Sequence, residues 1–270
     1  MNNGNSDITS MERLMLGLPA TVTCGATLYP VRMRQYEMFA ACKKAILMRQ
    51  STLPVQYAVM PYLAALFAMD AEMGFGLGLV QSLRILISMA TLQPLDNIGI
   101  LVTADKQTEL RAITYNDGEK DIRITPKDFN EIRRVIAEQN GEELPDESEN
   151  PELVQAEMDI AALQQSDVEF DLESMLDSVS YASGKSPKEL LDMPIRTFFR
   201  LEKAISRAKM FQIFTSASMS GFVKFPKGNP YPSWLFDKKK DGGKAFESMK
   251  EFAARTGIDL NTNTSSANKE

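Results

Sequence analysis

Apolar positions recur at intervals of three and four residues from Pro30 to Gln93, the phase of helices that bury one face. Tyr36, Phe39, Ala40, Lys43, Ile46 and Leu47 follow it, with Arg32, Arg34, Lys44 and Arg49 on other faces. This predicts a first amphipathic helix that ends near Gln50, ahead of Pro54. The stretches Val55–Met69 and Leu77–Leu92 are apolar almost all round, which predicts two buried helices. Together the three make the core of a first domain.

The phase changes at Leu95. Ile98–Thr103 is a β-type run, Ala104–Thr108 a polar turn, Glu109–Tyr115 alternates, Asn116-Asp117-Gly118 tolerates positive φ, and Asp121–Ile124 closes the series. The expectation is three short antiparallel strands. Thr125-Pro126-Lys127-Asp128 then opens a helix, with Thr125 as cap, Pro126 at the first helical position and Asp128 where the dipole favours a carboxylate. Phe129, Ile132, Val135 and Ile136 give it one apolar side, and Asn140-Gly141 a stop.

Glu142–Pro151 reads EELPDESENP, too acidic and too poor in apolar groups to pack, and is expected as an exposed linker. Two acidic helices are expected at about Glu152–Gln164 and Val168–Tyr181, stopped by Ser183-Gly184. Ser186-Pro187-Lys188-Glu189 has the form of a capping box and opens a short turn that Pro194 interrupts. The helix after Pro194 packs through Phe198, Leu201, Ile205 and Ala208. Arg196, Arg200, Lys203 and Arg207, at spacings of four, three and four, line one basic stripe on it. A proline-fixed turn, Asn229–Leu235, carries Tyr231 and the one tryptophan, Trp234, either as partner anchors or as a clasp on the preceding helix.

The resulting fold class is mainly α (α+β). Its parts are an N-terminal arm (1–29), a helical domain with a three-stranded β-meander (30–141), an acidic linker (142–151), acidic helices followed by a basic helical region (152–257), and a polar, disordered tail (258–270).

Composition narrows the chemistry. The 270 residues contain no histidine, which removes the usual general base near neutral pH and the commonest metal ligand. Two cysteines, Cys24 and Cys42, make neither a disulfide framework nor a Cys-x-x-Cys pair and fit a reducing cytoplasm. The polar start MNNGNSDITS lacks the form of a secretory signal. Gln50–Met69 is uncharged and near membrane-spanning length, but its glutamines and prolines point to a buried helix rather than a span. Gly74-Phe75-Gly76-Leu77-Gly78 lies between helical patterns, not after a strand, and reads as a flexible joint rather than a phosphate loop. Sixteen methionines, concentrated in the first ninety residues, suit irregular cores and adaptable binding surfaces alike.

Charge is segregated within a net of −6. Fourteen acidic residues and no Lys or Arg lie between Val135 and Gly184, whereas Lys185–Gly257 has fifteen basic against seven acidic residues. Such blocks dock on each other, repel wrong partners or await separate ones. Most carboxylates sit in linker-like or amphipathic settings, the Asn116–Asp121 turn lacks calcium-loop spacing, and Ser206 with Lys209 or Ser186 with Lys188 are too ordinary to mark a nucleophile. No catalytic residue, cofactor, small-molecule substrate or metal site is expected. The basic stripe, Lys238-Lys239-Lys240 and the aromatics Phe211, Phe214, Tyr231 and Trp234 suit single-stranded nucleic acid. A pI near 5.0 and the acidic block oppose it.

The order of features resembles the cytoplasmic tail assembly chaperones of long-tailed bacteriophages and prophages. The likeness rests on Leu28-Tyr29-Pro30-Val31 before a helix, the small β element, the run from Ile124 to Arg134, Gln139-Asn140-Gly141 with the acidic Asn150-Pro151-Glu152 stretch, and Leu191-Asp192-Met193-Pro194 before a final helix. It extends over most of Leu28–Lys209, leaving the glycine segment and the aromatic loop unmatched. The resemblance implies a non-catalytic factor that binds the tape-measure protein before tail-tube subunits polymerise around it, and that is absent from the finished virion. Its partners would be the tape-measure and tail-tube proteins, met through an amphipathic, Met-containing surface, with Arg196, Arg200, Lys203, Arg207, Tyr231 and Trp234 as candidate contacts. A structural component of the tail or head-tail junction shares the same features.

Overall fold

The computed structural model describes residues 10–103, 106–148, 171–220, 225 and 229–236, with backbone alone at 106–109. The helix expected at Glu152–Gln164, the lysine run at 238–240 and the tail at 258–270 lie outside the described residues. The chain divides into two compact units, Met1–Lys203 and Ala204–Glu270.

The fold of the first unit is mainly α with a small antiparallel sheet. After α1 (Ser10–Leu16) comes a two-stranded hairpin, β1 (Ala20–Thr21) and β2 (Thr27–Leu28). The hairpin buries Val22, Ala26 and Leu28, so the residues expected as an N-terminal arm supply core. The first expected helix is divided into α2 (Tyr36–Cys42) and α3 (Lys44–Leu47). It stops at Leu47 because Arg133 takes the carbonyls of Ile46 (Nε, 2.5 Å) and Met48 (Nη2, 3.0 Å), and Met48 turns extended. The second is divided at Pro61 into α4 (Val55–Ala58) and α5 (Tyr62–Glu72). The third is α6 (Leu79–Thr91).

The three antiparallel strands form as expected, but Lys106–Thr108, expected in the polar turn, belong to the middle strand. Strands β3 (Gly99–Thr103), β4 (Lys106–Asn116) and β5 (Asp121–Ile124) pair antiparallel in that order, and a register shift follows Leu101. Strand β5 alternates exposed and buried, sending Ile122 and Ile124 inward, as a sheet covered on one face must. Its covered face meets α5 and α6 through Leu63, Leu66, Phe67, Val80 and Leu83 against Ile100, Leu110 and Ile113.

Helix α7 (Phe129–Asn140) begins one turn after Thr125. Asp128 reaches back to the Thr125 amide (3.1 Å) and hydroxyl (2.6 Å), the carboxylate half of a capping box. At its other end Gly141, at φ +79°, closes a Schellman turn in which Glu142 N–H donates to Ala137 and Gly141 N–H to Glu138. Its buried stripe runs Phe129, Ile132, Arg133, Ile136, Ala137 and Asn140. Arg133 is buried there with its guanidinium 3.8 Å over the Tyr62 ring. Burial pushes the Tyr62 hydroxyl up to about 12 against the pull of Arg133, so it stays a neutral donor to the Ala45 carbonyl.

Residues 142–148 are tied to this body rather than free of it. Lys43 pairs with Glu142 at 2.8 Å, and the Glu147 carboxylate accepts from the amides of Gln50 (3.0 Å) and Ser51 (2.9 Å). Fixed amides thus replace the apolar contacts that so acidic a stretch lacks.

Asp171 caps α8 (Leu172–Ser183) through the amides of Glu173 and Ser174, and α9 (Pro187–Leu191) carries the predicted capping box of Ser186 and Glu189. Helix α10 (Ile195–Met219) follows. An antiparallel bridge seats its start: Met33 N–H donates to Met193, Ile195 N–H donates to Val31, and Arg34 pairs with Asp192. Ile195 and Phe198 are fully buried.

In the second unit, residues 229–236 fold back on α10. Phe214 stands 5.2 Å from Tyr231 and 5.4 Å from Phe225, and Arg207 donates to the Leu235 carbonyl at 2.5 Å.

Candidate partner-binding surface

Three members of the basic stripe come together in one place. Arg196, Arg200 and Lys203 line a groove of about 790 Å³ in the first unit, with Arg134 and Glu138 of α7 and the turn of Gly141, Glu142 and Glu143 opposite. Local folding sets this placement. The Schellman turn ends α7 and directs Glu142 and Glu143 along the rim, and the Gly141 Cα side abuts the Arg196 side chain. Arg196 donates to the Glu138 carbonyl at 2.7 Å, which joins the two walls. The floor is apolar, with Tyr36 and Phe199 tilted at 5.3 Å and Phe199 edge-on to Phe198 at 5.5 Å.

Arg207 serves the second unit, where it holds the aromatic loop, and Tyr231 is half-buried in the ring cluster. Trp234 is 57% exposed, beside Phe236 at 71%; Ser233 Oγ accepts from the amides of Leu235 and Phe236 and rounds the turn. Tyr36, Arg134, Glu138, Glu143 and Phe199 were not singled out from sequence as site residues. Their signal lies in helical phase, because Phe199 and Arg200 follow Phe198 around α10 and Arg134 follows the buried Arg133.

A second surface is apolar. Helix α4 exposes Val55 (79%), and Val59 (78%) and Met60 follow it; the loop after α5 exposes Met73, Phe75 and Leu77. A hydrogen bond from the Tyr57 hydroxyl to Glu72 puts these two elements side by side. Asp70, wholly buried, shapes the loop: its carboxylate accepts from the amides of Leu77 (3.1 Å) and Val80 (2.7 Å), and its carbonyl accepts from Phe75. Gly74, Phe75 and Gly78 all have φ of 60–65°, so the glycine joint is a pinned turn. Phe75 leans edge-on to Phe67 at 5.7 Å while remaining half open to solvent.

Among the described residues no helix is long and apolar enough to cross a membrane, and no three His, Cys, Asp or Glu side chains form a metal-holding group. Comparison of the chain with protein-family models, with curated proteins and with solved structures returned no match.

Proposed function

We propose that this protein is a non-catalytic assembly factor of the tail assembly chaperone type, acting in the cytoplasm on the tape-measure protein and the tail-tube subunits that replace it. The observation that carries the reading is the display of Val55, Val59, Met60, Met73, Phe75 and Leu77 on neighbouring exposed elements. Large apolar side chains gathered at a surface favour a partner that covers them. Here a pinned turn and a short helix present them, a disposition suited to apolar helices of varied sequence, and thioethers adapt to such partners at little cost. In this reading, tube subunits polymerising on the tape measure compete for the same apolar helices and so release the factor.

The test is co-expression with the product of a long helical reading frame adjacent to the gene. Val59→Asp and Phe75→Asp should abolish co-purification while leaving the circular dichroism spectrum unchanged. Asp tolerates the left-handed backbone at position 75, so the loop keeps its path. Unchanged co-purification by both variants would remove the reading.

A further inference from the structure

We propose that the groove between α7 and α10 docks an amphipathic partner helix with an acidic flank; this deepens the assembly-factor reading and rests on it. Arg196, Arg200 and Lys203 stand four and three residues apart, so they rise over about 10 Å along α10. A helix laid alongside offers carboxylates at the same spacing when acids recur at i, i+4 and i+7. Arg134 adds a cation from α7. Glu138, Glu142 and Glu143 face the same space, which sets a basic flank on the partner's other side and repels the continuous charge of a phosphate backbone. Between the charged walls, Tyr36 and Phe199 offer an apolar floor, and about 790 Å³ is room for several side chains. The occupant is therefore a helix that is apolar inward, acidic along α10 and basic along residues 138–143.

The probe is a synthetic helix of about fifteen residues with Leu at the facing positions, Glu on one flank and Lys on the other, titrated into the full chain by fluorescence anisotropy. Binding should weaken about tenfold or more in Arg200→Glu/Lys203→Glu. A peptide with the flanks exchanged should bind that variant better than the parent chain, an exchange that loss of folding cannot produce. Equal binding of both peptides to both chains would overturn the proposal. So would tighter binding of an oligo(dT) strand that is lost in the same variant, which would assign the groove to nucleic acid, or displacement by the peptide of a second copy of the chain. Peptide exchange without capture of the tape-measure product would leave the groove assigned and the assembly reading refuted. Capture through the α4 surface with no peptide exchange would refute the groove alone.

Discussion

The Asn140 side chain accepts the Val31 amide at 2.9 Å and donates to the Ile136 carbonyl at 2.7 Å, joining segments 109 residues apart. Next to it, Gln139 donates to the Leu28 carbonyl at 3.0 Å, so the end of α7 clips the strand that leads into α2. Both side chains are buried. Asn140→Ala leaves the Val31 amide without its acceptor and should destabilise the first unit by about 1–3 kcal/mol in chemical denaturation. A loss under half a kcal/mol would mean that the clip is not needed to hold the chain at Val31.

Phe198 is the anchor of α10 in the first unit, fully buried with Phe199 edge-on against it. Phe198→Ala should cost about 3–5 kcal/mol, the range for emptying a buried aromatic site. Leu201 is only half-buried, so Leu201→Ala should cost clearly less. The reverse ranking in thermal or urea unfolding would rotate the packed face of the helix.

Where the fold rests on bonds between near neighbours, the residues announce it. The capping box at Ser186 forms with Ser186 N–H donating to Glu189 at 2.8 Å, and β4 and β5 pair across the Asn116-Asp117-Gly118 turn that its residues mark. Where it rests on distant partners, local pattern is silent. Arg133 lies in phase with Phe129, Ile132 and Ile136, yet a charge is expected outside unless its carbonyl and aromatic partners, 85 or more residues away for the carbonyls, are known. The groove has the same origin. Arg196 and Glu138 are separated by 58 residues, and the stripe on α10 does not tell which of its cations will face α7 and which, like Arg207, will hold a loop.

Several carboxylates are held ionised by hydroxyls and amides, and this fixes how stability depends on pH. The Thr23 hydroxyl and then its amide hold Glu131 below the ordinary value of 4.5, and the Ser186 hydroxyl and amide do the same for Glu189. The Ser174 hydroxyl and amide hold Asp171 below 3.8. A carboxylate depressed in the folded state stabilises it above its unfolded pKa and loses that contribution as pH falls through the folded one. With no histidine to titrate near neutrality, the melting temperature should be flat from about pH 8 to about pH 5.5 and fall below about 4.5. Glu131→Gln should reduce the size of that acid fall. A transition between pH 6 and 7 in melts would contradict this assignment.

Asp70 ties the glycine turn to the apolar surface, because a buried carboxylate holds the Leu77 and Val80 amides while its own carbonyl takes the Phe75 amide. Removing the side chain leaves two amide donors without their acceptor, one of them at the start of α6. Asp70→Ala should therefore cost about 1.5–3 kcal/mol. It should also speed amide hydrogen exchange at residues 73–80 more than at α7. Asp70→Asn keeps one acceptor oxygen but turns an NH₂ group toward amide donors, so it should recover only part of the loss. If the turn serves to present Phe75 and Leu77, both variants should weaken capture of the tape-measure product in proportion to the exchange rate of the turn, even where enough stability remains for the chain to fold. Full capture by a chain whose turn exchanges freely would show that the apolar side chains act without being held in place.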